Sequence, residues 1–232
     1  MQISLPTSPK IVKKDDNEAV IEIGSLYPGY GTTLGNAVRR ILLSSLPGAA
    51  ITSVKIEGAD HEFTTFPGVK EDVIHILLNL KQIRFKLHTS EPVTITLASK
   101  GEGEVKAGDF RLSSDVEIVN PDQYIATLTD KKATLNIEAD VSPGLGYDPA
   151  ERQQKEKLPI GRISLDAIYT PVRKANFKVE NMRVGDRTDF NRLLIEIETD
   201  GTITPEFAYE KAVEILKQQI EIVEKLGNEA SK

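Results

Sequence analysis

GYGTTLGNAVRRILLSSLPG, from Gly29 to Gly48, decides how this chain is read. At about 100° per residue, Leu34, Ala37, Val38, Ile41, Leu42 and Ser45 fall on one side of a single helix, a core-facing stripe. The opposite side holds Asn36, Arg39, Arg40 and, between them, Leu43. A leucine ringed by two arginines and an amide gains nothing from water. Arginine's planar fork reaches several acceptors at once and is enriched where proteins meet. Two readings of this face stand: a solvated surface with one exposed leucine, which any helix tolerates, or a docking face with an apolar anchor. Ahead of it, Ala19 to Ile23 (AVIEI) alternates as a strand, and Pro28-Gly29 breaks the chain. Thr32 or Thr33 is placed to cap the helix, and Pro47-Gly48 stops it.

Working outward, Ile51 to Glu57 (ITSVKIE) alternates with a slip near Ser53 that fits a bulge. Pro67-Gly68 leads into a helix predicted over Val69 to Lys81, with Val73, Ile76, Leu77 and Leu80 on one face. IRFKL, VTITLA, VEIV, YIATL and ATLNIEADV follow as short strands, which suggests an antiparallel, largely β module. Ser142 to Leu158 is charged and poor in apolar residues, and reads as a surface loop with a possible helical turn over Ala150 to Lys157. Leu193 to Glu198 (LLIEIE) is a strand ended by Asp200-Gly201.

A last helix is capped by Thr204, starts at Pro205 and closes at Gly227, roughly 33 Å long at about 1.5 Å per residue. Ala208, Ala212, Ile215, Gln219, Ile222 and Leu226 form one seam, and Tyr209, Val213, Leu216, Ile220 and Val223 form a second beside it. Two seams make an apolar arc of about 180°, wider than a simple surface helix needs. Such a helix is either sunk between layers of its own domain, or packs one seam internally and offers the other to a second copy.

At 232 residues and 39% hydrophobic, the chain can bury the core of one large or two small domains. Twenty-nine basic against 35 acidic side chains leave it at −6, without the cationic surplus that grips nucleic acid. This disfavours a dimeric DNA-binding regulator. The absence of cysteine excludes disulfides, zinc ribbons and thiol catalysis. MQISLPTSPK lacks a signal-peptide run and no stretch approaches about 18 apolar residues, so the expectation is a cytoplasmic chain without a membrane span. Gly29, Gly31 and Gly35 between a strand and a helix, with Glu57 downstream, resemble a dinucleotide-binding turn. A nucleotide-binding enzyme is therefore the alternative function. The charge within AVIEI and the end of strand–helix alternation argue against it. His75, near Asp72 and Asn79, has no second His or Cys to complete a metal set, and His61 sits between Asp60 and Glu62 as a surface residue. The scattered aspartates form no two-metal cluster, and no nucleophile–base pair is spaced for catalysis.

The Gly29–Gly48 stretch also resembles the signature of the amino-terminal domain of bacterial RNA polymerase alpha subunits. EDVIHILLNLK (Glu71 to Lys81), VEIVNPD (Val116 to Asp122), PIGRISLDAIYTPV (Pro159 to Val172) and RTDFNRLLIEIETDGTITPE (Arg187 to Glu206) resemble the same family in the same order. The resemblance implies an α+β fold of two domains. A discontinuous dimerisation domain, residues 1–47 and 173–232, combines an antiparallel sheet with two helices. A mostly-β domain, residues 48–172, is inserted into it. The implied function is a non-catalytic assembly scaffold within a nucleotidyltransferase complex, which transcribes DNA into RNA. It homodimerises and recruits the two large catalytic subunits, beta and beta-prime, each copy meeting a different one.

By the same resemblance, Asn36, Arg39, Arg40, Leu43, Lys81, Arg162, Leu165, Arg187, Thr188 and Asp189 contact the large subunits. Leu34, Val38 and Ile41, with Tyr209, Ala212, Val213, Leu216, Ile220 and Val223, serve dimerisation. No cofactor, catalytic residue, metal, small-molecule ligand or direct DNA contact is expected of this portion. Family members continue into a linker and a DNA-binding domain, so promoter contact and activator docking are not expected of these residues.

Overall fold

The computed structural model describes residues 3–59, 61–153 and 161–225. In chain order its elements are β1 (Lys10–Lys14), β2 (Glu18–Leu26), α1 (Tyr30–Ser44), β3 (Pro47–Ile56), α2 (Val73–Leu80), β4 (Phe85–Leu87), β5 (Val93–Lys100), β6 (Gly103–Lys106) and β7 (Val116–Ile118). Then come β8 (Tyr124–Leu128), β9 (Thr134–Leu145), β10 (Tyr147–Asp148), α3 (Ala150–Gln153), β11 (Ile163–Ser164), β12 (Ala167–Ile168), β13 (Val172–Val184), β14 (Arg187–Thr199) and α4 (Pro205–Glu224). The fold is α+β, with strands dominating. Two compact units divide the chain, Met1–Leu46 with Pro171–Lys232, and Pro47–Thr170.

The first unit is an antiparallel sheet in the order β1-β2-β14-β13. Alternation turns Ala19, Ile21 and Ile23 of β2, and Leu193, Ile195 and Ile197 of β14, to one face. The helices α1 and α4 pack there, adding Val38, Leu42, Ala208 and Ala212 to one core, with Leu46 just past the end of α1. In β2 the alternation shifts at Ser25, whose φ of 57° lets Gly24 and Ser25 stand opposite Arg192 alone. The helix α1 sits close against the sheet because Gly31 and Gly35 face it. A Cβ on Gly35 would lie 2.6 Å from Phe177 Cδ2, and one on Gly31 2.8 Å from Val179 Cγ1.

The capping expectation for α1 is corrected. The helix starts at Tyr30, ahead of both threonines, and Gly29 at its N-cap has no side chain to offer. Asn191 of β14 supplies the acceptor: its Oδ1 takes the N–H of Gly29 at 2.9 Å and of Gly31 at 3.3 Å. Thr33 instead donates its hydroxyl back to Gly29 O at 3.4 Å. At the other end, Ser45 closes the helix and the chain enters β3 directly at Pro47.

The second unit is built on the antiparallel sheet β11-β3-β9-β5, with the small pairs β10-β12, β4-β7 and β6-β8 around it. Helix α2 buries Val73, Ile76, Leu77 and Leu80 in its core. The slip near Ser53 is a register shift between Ile51 and Ser53 opposite β9. Two expectations are corrected. The helix α2 begins at Val73 instead of Val69, because Asp72 adopts an extended conformation and caps it, accepting the His75 N–H at 2.8 Å. Val69 makes an isolated bridge to Leu128. The surface loop expected from Ser142 is partly sheet: Ser142 to Leu145 extend β9 and pair with Ala50 to Pro47. Gly48 and Gly144 pair directly, and both make room for Tyr169; a Cβ on Gly144 would stand 2.5 Å from its ring. The rest of that stretch beyond Gln153, up to Leu158, lies outside the described residues, as do Asp60, Pro159, Leu226 and Gly227.

Candidate functional site

The outer face of α1 is where the sequence placed its polar ring. Asn36 and Arg40 are exposed, and Leu43 is 38% exposed. Arg39 is half-buried, and its Nε is buried without a hydrogen-bond partner among the described residues. Arginines beside an uncovered leucine can combine apolar contact with directional hydrogen bonds.

Arg187, Thr188 and Asp189 open β14 in the same unit, just past the Gly185-Asp186 turn, and all three are exposed. Arg187 holds Asp189 in a bidentate pair, Nε to Oδ1 at 3.0 Å and Nη2 to Oδ2 at 2.7 Å. The same guanidinium stacks 5.4 Å from the Tyr27 ring and 5.2 Å from Phe190. Asp189, and then the Tyr27 hydroxyl, push the Arg187 pKa up, while Arg187 holds the Asp189 carboxyl below its ordinary value. The cluster is thus a pre-organised plane of ring and guanidinium. Tyr27 and Phe190 escaped the sequence reading; the available signal was aromatic residues flanking Pro28-Gly29 and RTD.

The second unit brings Lys81, Arg162 and Leu165 to one open groove of about 600 Å³ beside α2. Their roles within the chain differ. The Arg162 side chain is only 13% exposed and is clasped by Glu138 and Asp140 of β9, with Ser53 also accepting from it. It pins the β11 segment to the sheet. Leu165 is 5% exposed and belongs to the core cluster. Lys81 Nζ meets Asp166 Oδ2 at 3.1 Å. Asp166 Oδ1 also accepts the Ala150 N–H at 3.0 Å, and that bond, followed by Lys81, lowers its pKa. Ile74 and Leu78 of α2 line the groove beside Lys81, and sequence reasoning missed them. Their spacing of four, reaching Lys81 three residues on, was the signal available.

Along α4 burial falls off steeply. Ala208 and Ala212 are fully buried, and Tyr209, Ile215 and Leu216 rest partly covered on the core. Val213 is 37%, Ile220 57% and Val223 76% exposed. The first half of the helix therefore docks on the sheet, and the second half carries aliphatic side chains into the open. On α1, Val38 is core, and Leu34 and Ile41 are partly covered against it. The structure thus places Val38 and Ala212 inside the unit's own packing.

Gly31 and Gly35 face β13 and β14, so the resemblance to a phosphate-cradling turn has a packing origin. His75 Nδ1 pairs with Asp72 Oδ1 at 2.6 Å, and Thr64 bonds to the ring and carbonyl of His61. No helix among the described residues is long and apolar enough to cross a membrane.

Residues 54–170 match the family model described as the RNA polymerase Rpb3/RpoA insert domain. The chain is 48% identical over 220 residues to a DNA-directed RNA polymerase subunit alpha of Symbiobacterium thermophilum, covering 95% of this chain and 70% of that protein. It is 51% identical to the Roseiflexus sp. subunit alpha, covering 94% and 67%, and 46% identical to that of Geobacter metallireducens, covering 96% and 67%. Identity near one half, sustained across both units and joined to the insert-domain match, places this chain in the family of DNA-directed RNA polymerase alpha subunits.

Proposed function

We propose that this chain is the non-catalytic assembly scaffold of its polymerase, acting in the cytoplasm. It pairs with a second copy of itself and then captures the two large catalytic subunits. The observation that carries the reading is the uncovered aliphatic end of α4, with Val213, Ile220, Ile222 and Val223 exposed on a helix whose first half is buried through Ala208 and Ala212. Fully burying each Ile, Leu or Val is worth roughly 1.5–3 kcal/mol, so pairing these seams supplies a driving force that a single copy cannot realise. Leu34, Ile41, Tyr209 and Leu216, half-covered at the margin of the same core, extend that surface.

The α1 face of Asn36, Arg39, Arg40 and Leu43, the Arg187–Asp189 cluster and the Lys81 groove are three further surfaces for the large subunits. Each sets charged side chains beside apolar or aromatic ones, the composition of a binding anchor. The chemistry of nucleotide addition then lies on the partners. Arg40→Ala tests the reading: the chain stays folded and dimeric but no longer captures the large subunits in gel filtration. Removing an anchoring arginine from a desolvated contact typically costs about 2–5 kcal/mol. Capture at wild-type strength would remove α1 from the docking surface.

A further inference from the structure

Beyond its first residue the chain carries a single sulfur, that of Met182, and it has no cysteine. Met182 lies on β13, partly exposed, opposite Phe190 of β14. Its side chain crosses β14 to reach β2, where Gly24 and Ser25 form the bulge opposite Arg192. The two N–H groups of this bulge find acceptors outside the strand ladder. Thr7 Oγ1 takes that of Gly24 at 3.1 Å, and Met182 Sδ takes that of Ser25 at 3.0 Å. The thioether lies against Gly24, where a Cβ would stand 3.6 Å from Sδ and 3.7 Å from Cε.

A thioether is a weak acceptor. Here it holds a residue whose φ of 57° puts a side chain in the left-handed region. Two residues on, Tyr27 meets the Phe190 ring edge to face at 6.0 Å, and Arg187 stacks on both rings. Met182 thus straps a strained bulge and backs the corner that fixes Arg187. Its sulfoxide does not fit the same place. The Ser25 nitrogen and the sulfur are 3.0 Å apart, and an N–H···O bond alone takes up about 2.9 Å, so no oxygen enters between them. The added oxygen turns to water, and its polarity draws the side chain off Gly24.

We propose that Met182 is a site of reversible oxidation, at which hydrogen peroxide forms the sulfoxide, frees the Ser25 N–H and loosens the Arg187 corner. In that step a sulfur lone pair attacks one peroxide oxygen. An S–O bond forms, the O–O bond breaks and water leaves; the sulfur loses two electrons and the peroxide gains them. A methionine sulfoxide reductase reverses the change. Its consequence for capture of the large subunits, through Arg187, rests on the scaffold reading above.

The test treats the full chain with hydrogen peroxide, clears the peroxide with catalase and mixes the chain with the two purified large subunits. The tryptic peptide Val179–Arg183 gains the mass of one oxygen. Ser25 amide exchange accelerates by about threefold to tenfold, the usual worth of one hydrogen bond, while the amide of buried Leu193 holds its rate. Capture weakens by about threefold, and the reductase restores both readouts. Met182→Leu keeps the apolar bulk and removes the acceptor. Its Ser25 amide exchanges fast from the start, and peroxide changes neither that rate nor capture. No sulfoxide in Val179–Arg183, sulfoxide without faster Ser25 exchange, or a Met182→Leu chain that answers peroxide as the wild type does overturns the proposal. Faster exchange with capture unchanged overturns the link through Arg187 while the scaffold reading stands. Untreated wild type that captures neither subunit overturns the scaffold reading, and Ser25 exchange then still decides whether Met182 straps the bulge.

Discussion

Asn191 shows how far a residue's role can lie from its own segment. One buried side-chain oxygen on β14 takes two backbone N–H groups at the start of α1, 160 and 162 positions away in sequence. A helix start needs such acceptors, and Gly29 has none to give. Asn191→Ala is expected to lower stability by about 1–2 kcal/mol in denaturant unfolding, the usual cost of a lost cap. Gly35→Ala separates propensity from packing. Alanine is the better helix former, yet its Cβ would stand 2.6 Å from Phe177 and 2.9 Å from Leu193. The expected result is a loss of about 1–3 kcal/mol, and a gain would mean that α1 does not rest where it is described. The glycine spacing was visible in the sequence and suggested a phosphate turn. Only the strands that return more than 140 residues later reveal that Gly35 lies against Phe177 and Leu193 and Gly31 against Val179 and Asn191.

At the scale of elements, local signals were legible where they were self-contained. Thr204 caps α4, accepting the Phe207 N–H at 3.3 Å, and Pro205 opens it. The bulge at Ser53 showed itself as a break in alternation. The β13–β14 hairpin was missed: Gly185-Asp186 was the available turn signal, but the charged residues of Arg173 to Val184 masked the first strand. Its Lys and Glu residues belong to the solvated face, where Lys178 and Arg192 pair with Glu180. The start of α2 was misjudged because Pro67-Gly68 is a stronger pattern than a lone Asp72. That carboxyl is held below its ordinary 3.8, first by the His75 N–H and then by the His75 ring. A lowered pKa stabilises the folded state fully above the ordinary value, and the gain is lost as pH falls through the folded one. Amide exchange in α2 is thus expected to accelerate on acidification below about 3.8. Asp72→Asn keeps an acceptor for the cap and abolishes that acceleration; an identical acid response in the variant would assign it elsewhere.

At the scale of the whole molecule, the sequence carried the family through several blocks in register, and the fold follows in two compact units. The site was legible only in part. Exposed members such as Arg40 and Leu43 lie on the face their spacing assigned. Arg162, by contrast, is bound to Glu138 and Asp140, a pairing that depends on strands brought together by the sheet. The account turns on α4. Val213, Ile220 and Val223 are uncovered on the single chain, so charging them leaves its interior intact while spoiling a seam between copies. Sedimentation equilibrium of the purified chain beside Ile220→Glu/Val223→Glu is the direct measurement. We expect twice the chain mass of 25.6 kDa for the wild type, and a folded species at the single mass for the variant. A wild type that remains at the single mass at high micromolar concentration, or a variant that keeps the doubled mass, would contradict pairing through this helix.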